Sequence, residues 1–229
     1  MFLQDILLSQ GFGTRYDCRA LAASGAVSIG GDIHDDPEAD LETEGLVFSC
    51  FGKKWPFCEK GVIALNKPAG YERSMKPSAH PSVMTLLPGP LRRRGMQPVG
   101  RLDVDTTGLL IFTDDGALQH RLIHPKRHVS KVYDVTCRHP IDERTREKLL
   151  VGVILDDDPK PVAAKAVEIV NAHLLRMTLV QGKYHQVKRM IAACSNRCDA
   201  LHRSEFGRYR LPETLQPGEW VWISRSDIV

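Results

Sequence analysis

Gly100-Arg101-Leu102-Asp103-Val104-Asp105-Thr106-Thr107-Gly108, running into Leu109-Leu110-Ile111-Phe112 and then Thr113-Asp114-Asp115-Gly116, reads as a loop, a strand and a turn. The apolar run has strand length and is bounded by polar turn formers. Two glycines frame the loop, so backbone freedom, a guanidinium and a potentially nucleophilic carboxylate gather just before a strand entrance.

Working outward, Ala117 to Ile123 is expected to be helical, Lys131 to Cys137 a strand and Asp142 to Leu150 a helix. Further strands are expected around Val162 to Val170, Leu174 to Val180 and Trp220 to Ile223. Val187, Met190, Ile191 and Cys194 recur at helical spacing and predict one buried stripe, with Gln186, Lys188 and Arg189 off it near the helix start. Upstream, Val62 to Leu65 reads as a strand, Lys67-Pro68 as a turn, His80 to Leu87 as a short capped helix, and Arg92-Arg93-Arg94 as part of a loop.

The first 57 residues have a different character. Leu3, Ile6 and Leu7 at helical spacing predict one helix and Tyr16 to Ser24 a second, ended by Gly25. Ala26 to Ile29 before Gly30-Gly31, and Gly45 to Ser49, read as strands. Gly52 to Phe57 reads as a linker. Four basic residues stand against nine acidic ones up to Phe57, whereas the remainder carries 27 basic and 19 acidic. That asymmetry predicts two modules, 1–57 and 58–229, the second suited to an anionic partner such as nucleic acid or else simply presenting a solvated basic face.

A chain of 229 residues, 42% hydrophobic and 26% charged, has the composition of a soluble globular protein. No stretch has the apolar length of a membrane span, and the amino terminus lacks the pattern of a secretory signal, so no membrane and a cytoplasmic location are expected. The six cysteines show no regular disulfide spacing and are expected to be reduced. Cys194, Cys198 and His202 lack a fourth partner at zinc-site spacing. His120, His124 and His128 would form a metal stripe only on one continuous helix, which Pro125 interrupts; a solvated helix end with Lys126 and Arg127 near RNA fits better.

The opening loop admits two kinds of chemistry. Asp103-Val104-Asp105-Thr106-Thr107 superficially matches the Asp-x-Asp-x-Thr signature of haloacid-dehalogenase-type phosphatases, but Gln97 to Arg101 form no hydrophobic strand before it. A base-modifying enzyme acting on RNA needs a carboxylate in a loop, an intercalating residue beside it, an aromatic to stack on the displaced base and a cation to hold the carboxylate. Asp103, Arg101, Tyr133 and Lys188 or Arg189 supply those types; by spacing alone, Tyr133 is as well read as core, and Asp105 with Thr106 and Thr107 as a hydrogen-bonded loop support.

Asn66 to Gly70, Gly100 to Leu110, Asp114 to Gly116, Lys131 to Tyr133 and Gly182 to Met190 resemble, in order, the successive motifs of the pseudouridine synthases. The His185 to Met190 form, Leu201-His202-Arg203 and Pro217-Gly218-Glu219 most resemble the small-subunit ribosomal RNA branch, RsuA. Residues 1–57, with Thr14-Arg15 opening the second helix and Gly25 to Gly31 closing it, resemble the S4 RNA-binding domain, with fewer basic residues than that family usually carries.

The resemblance implies an α+β protein: a small S4-like ααββ domain, then a catalytic domain with a mixed, mostly antiparallel sheet flanked by helices. It implies isomerisation of a uridine in 16S ribosomal RNA, free or in an assembling subunit, by a monomer needing no cofactor and no metal. Alternatives are a large-subunit synthase of the same superfamily and a non-catalytic RNA-binding assembly protein. Asp103 would be the nucleophile, Tyr133 would stack on the uracil, and Lys188 would pair with Asp103, with Arg189 in reserve. Arg101 would fill the space left by the uridine, and Lys67, His185, Gln186 and Arg189 would contact the substrate. Arg15, Arg19, Arg92, Arg93, Arg94, Lys126, Arg127, Lys131 and Lys183 would face RNA.

Overall fold

The computed structural model describes residues 1–74, 79–156 and 158–229. The chain forms two compact units, one of Met1–Gly61 with Leu87–Gln97 and the other of Val62–Leu86 with Pro98–Val229.

In the first unit, α1 (Leu3–Ser9) and α2 (Arg15–Ala23) precede the strands β1 (Val27–Ile29), β2 (Asp32–His34), β3 (Val47–Cys50) and β4 (Lys53–Pro56). Thr14 and Asp17 form a capping box at the start of α2, satisfying amide groups that the first turn leaves unpaired. The strands form an antiparallel sheet in the order β2-β1-β3-β4. Two of these strands were not expected. The stretch expected as a linker is β4, hydrogen-bonded to β3 and anchored by buried Trp55, whose ring meets Phe12 edge-on at 5.1 Å.

A later excursion also belongs to this unit. Arg92 and Arg93 lie not in a loop but in α3 (Gly89–Arg93), with Arg94 as its C-cap. The Arg94 guanidinium donates to the Gln10 side chain and, at 2.8 Å, to the Cys58 carbonyl. Gly11 lets the chain pass this helix, because a Cβ there would sit 2.3 Å from the Pro90 carbonyl oxygen.

The second unit contains β5 (Val62–Lys67), then, after the two-residue β6 (Gln97–Pro98), β7 (Thr107–Thr113), α4 (Gly116–Ile123) and β8 (Lys131–Cys137). It continues through α5 (Glu143–Val151), β9 (Val153–Leu155), β10 (Asp158–Val162), β11 (Ala166–Asn171), β12 (Leu174–Leu179) and α6 (Gln186–Ala193). β13 (Cys198–Phe206), β14 (Tyr209–Arg210) and β15 (Trp220–Trp222) complete it. The main sheet runs β11-β12-β8-β13-β7-β5-β15. Along that order the neighbours are antiparallel except β13 and β7, so the sheet is mixed and mostly antiparallel.

The segment expected as a capped helix at His80 to Leu87 is a single 3-10 turn at Val83–Leu86. The long β13, central in the sheet, was not expected. Its register places His202 opposite Thr107 and Arg203 opposite Gly108 on β7, and Arg203 opposite Tyr133 on β8. One core cluster packs α5 and α6 on the sheet through Leu149, Val187, Met190 and Ile191. Another joins Leu118 and Leu122 of α4 to Leu109 and Ile111 of β7. Residues 100–106 form the loop that leads directly into β7.

Candidate active site

Residues 100–106 are held by their own backbone and by two buried cations. Gly100 takes φ +78°, and the Thr106 amide donates to the Asp103 carbonyl at 3.1 Å, closing a turn around Val104 and Asp105. The Gly70 amide reaches the Val104 carbonyl at 2.8 Å.

Lys67 ends the fully buried strand β5 and is itself only 1% exposed. Its ammonium donates to the carbonyls of Pro68, Asp103, Val104 and Thr106 at 2.9 to 3.2 Å. Lys67 was expected to contact substrate; in the structure its ammonium donates to backbone carbonyls in and beside the loop. Burial lowers its pKa to about 8, against the opposing charges of Asp105 and Asp103.

Arg203 plays a comparable part from β13. It is 1% exposed, donates from Nε to the Leu109 carbonyl at 2.7 Å and extends Nη1 to within 3.5 Å of the Arg101 carbonyl. Gly108 permits the approach: its φ is +99°, and a Cβ there would lie 2.4 Å from the Arg203 carbonyl oxygen. The two framing glycines therefore serve different needs, Gly100 a left-handed backbone and Gly108 a close strand crossing as well.

Above the loop, Asp103 Oδ1 lies 3.3 Å from His185 Nε2 and Oδ2 lies 3.4 Å from Lys188 Nζ. Lys188 binds Asp105 more closely, donating to both carboxylate oxygens at 2.6 and 2.8 Å. That hydrogen bond holds the Asp105 carboxyl below its ordinary range. Burial works to lower the Lys188 ammonium, but the Asp105 hydrogen bond and the charges of Asp103 and Asp105 outweigh it and raise its pKa. Of the two candidate basic partners it is Lys188 that faces Asp103, while Arg189 donates to the Tyr184 carbonyl at 3.2 Å. Asp105, expected to support the loop through its threonine neighbours, does so through Lys188.

A cleft of about 710 Å³ opens over these groups, lined by Arg101, Asp103, Tyr133, His185, Gln186 and Lys188, with Lys126, Lys131 and Lys183 also on its walls. Gln186 is buried, its Oε1 accepting from the Lys183 amide at 2.9 Å, so it shapes the helix start. Lys131 donates to the Val129 carbonyl at 2.9 Å, and burial lowers its pKa to about 8. His124 is an extended C-cap of α4, so the three histidines do not share one helix. All six cysteines are free, and no group of three His, Cys, Asp or Glu among the described residues is placed to hold a metal ion. Of the remaining residues expected to meet RNA, Arg127 is exposed beside the cleft, whereas Arg15, Arg19, Arg92, Arg93 and Arg94 belong to the first unit. Arg15 and Arg19 lie 3.7 and 3.4 Å from Asp5 and Glu38.

The model of the RNA pseudouridylate synthase family matches residues 61–193. The chain belongs to that family. It is thus an RNA pseudouridine synthase, and the non-catalytic reading is set aside. The chain is 34% identical to ribosomal small subunit pseudouridine synthase A of Yersinia pestis, over 92% of its length and 86% of the relative's. It is 33% identical to an uncharacterized RNA pseudouridine synthase of Bacillus subtilis, over 100% of this chain and 97% of the other. A crystal structure of a pseudouridylate synthase matches with a TM-score of 0.70 at 32% identity, covering 100% of this chain and 98% of the other. Among the described residues no helix is long and apolar enough to cross a membrane.

Proposed function

We propose that this synthase converts one uridine of small-subunit (16S) ribosomal RNA to pseudouridine, with Asp103 as the carboxylate that engages the flipped nucleotide. The observation that carries the reading is the convergence of Asp103, His185, Lys188 and Tyr133 on one cleft. The relatives named for the small ribosomal subunit support the choice of RNA. In the reaction the N1–C1′ bond breaks, the uracil turns within the cleft, C5 bonds to C1′, and the C5 proton leaves while N1 gains one. Asp103 acts on the sugar as the first bond breaks, Tyr133 stacks on the ring, and Arg101 occupies the space vacated in the RNA. Lys188 neutralises the carboxylate pair, and the walls of the cleft keep the detached uracil in place. The chain acts as a cytoplasmic monomer, and the first unit, Met1–Gly61 with Leu87–Gln97, serves as an S4-like module that adds RNA contacts to those of the catalytic unit, Val62–Leu86 with Pro98–Val229.

The test is pseudouridine mapping of both ribosomal RNAs in a deletion strain complemented with the wild-type chain or Asp103→Asn. Loss of one small-subunit pseudouridine, restored by the wild type alone, is expected. Loss from the large subunit would transfer the assignment there, and restoration by Asp103→Asn would remove Asp103 from its role.

A further inference from the structure

One aromatic side chain in the cleft has no part in the chemistry above. Tyr184 is 65% exposed, a large apolar surface left in water at the wall of a site that takes RNA. It does not hang loosely. Its ring stacks on the His185 imidazole with centroids 3.8 Å apart and planes 21° apart, and its carbonyl accepts from the Arg189 guanidinium.

Adjacent side chains on extended backbone point to opposite sides, so two neighbours can stack only where the chain turns sharply. His185 provides that turn as the N-cap of α6, at φ 45° and ψ 33°, a left-handed conformation that non-glycine residues adopt at a cost of about 1 kcal/mol or more. The inner ring of the resulting pair touches the Asp103 carboxylate through Nε2, and the outer ring presents its far face to solvent. Lys183 precedes it on the same wall, and Lys126 lines the cleft as well.

We infer that the outer face of Tyr184 is a base-stacking subsite for a nucleotide flanking the target uridine. The inference rests on the proposal that the cleft holds a flipped uridine. A base laid on Tyr184 would extend the Tyr184–His185 stack by one ring, and that stack is tied to the Asp103 carboxylate through the edge of its inner ring. Tyr184 and Asp103 line the same cleft, so a base on that face belongs to a nucleotide next to the one that Asp103 engages. Stacking of this kind accepts any base, since every base has a π face, but it requires the neighbour to be out of a duplex. The subsite therefore selects for single-stranded context next to the target and leaves base identity to other contacts. The nearby lysines suit the intervening phosphate.

Two measurements test this. With small-subunit ribosomal RNA from the deletion strain as substrate, Tyr184→Ala should raise KM by about 5- to 150-fold and change kcat at saturating RNA by less than about threefold, while Tyr184→Phe stays within about twofold of wild type. A fall in kcat with KM unmoved would overturn the subsite, because Tyr184 would then act only by positioning His185. An unchanged KM and kcat would overturn it as well. The second measurement needs no turnover: in an Asp103→Asn background, Tyr184→Trp should lose indole emission on binding single-stranded oligouridylate, relative to the same protein with Tyr184 intact. No added quenching at saturating oligouridylate would overturn the subsite. Quenching by oligouridylate with no wild-type turnover on small-subunit RNA would sink the proposed substrate and leave the subsite standing.

Discussion

Replacing Lys67 with methionine separates a loop clamp from a substrate contact. Methionine keeps most of the stem's volume and removes the ammonium that meets four carbonyl oxygens at 2.9 to 3.2 Å. Two of those carbonyls keep another donor, Asp103 from the Thr106 amide and Val104 from the Gly70 amide. The loss therefore falls hardest on Thr106, which is buried, and on Pro68, which is half-buried and partly open to water. An unmet buried carbonyl costs about 1–3 kcal/mol, and the two weakened bonds add to that. Relief from burying an ammonium offsets part, leaving a net destabilisation of roughly 2–4 kcal/mol. The catalytic consequence is larger than the stability figure suggests. A displacement of about 1 Å in a reacting group can lower the rate about 100-fold, and the Asp103 carbonyl loses one of its two donors. Single-turnover pseudouridine formation should thus fall by about two orders of magnitude while the Kd for RNA stays within about threefold. Chemical denaturation of the same variant gives the stability term. A folded Lys67→Met with near wild-type turnover would refute the clamp, and a large rise in Kd with normal single-turnover rate would make Lys67 a substrate contact after all.

Other outcomes follow from the same contacts. Lys67 titrates at about 8 when folded and near 10.5 when unfolded, so its contribution is flat below pH 8, and between those values the unfolded chain holds a proton the folded chain lacks. Stability from this group therefore rises with pH through that window by up to about 3 kcal/mol, and urea midpoints should show the gap between wild type and Lys67→Met widening from about pH 8 to about pH 10.5. Gly108→Ala should lose at least about 3 kcal/mol, since it adds a backbone collision to a positive φ, whereas Gly100→Ala, with open space around it, should lose only about 1–2 kcal/mol; equal losses in denaturant would contradict the close crossing of β7 and β13. Arg94→Met should destabilise the first unit by about 2 kcal/mol, seen as faster amide exchange in α1, and unaltered exchange would return Arg94 to the RNA-facing set.

Much of the catalytic unit was readable because its signals are local. The run Leu109 to Phe112 and the stripe Val187, Met190 and Ile191 bury the faces their spacing predicted. β13 was hidden for a physical reason. Its buried positions are Leu201, Arg203 and Phe206, and an arginine at an inward site reads as a surface residue until the carbonyls it pairs with are in view. β4 was hidden likewise, because Lys53, Lys54 and Pro56 obscure one buried tryptophan. Tyr184 carried no signal at all beyond its place in a motif.

The amino-acid sequence by itself determined the existence of the loop at Gly100 to Gly108, the motif order and the residue types of the site, since these depend on neighbours within a few positions. Only the tertiary structure decided that Lys188 rather than Arg189 faces Asp103, that the Lys67 ammonium meets backbone carbonyls of the loop, and that Arg92 to Arg94 pack with the amino-terminal unit. Each of those outcomes turns on which carbonyl or carboxylate lies within about 3 Å of a cation, a short-range condition set by segments distant in the chain.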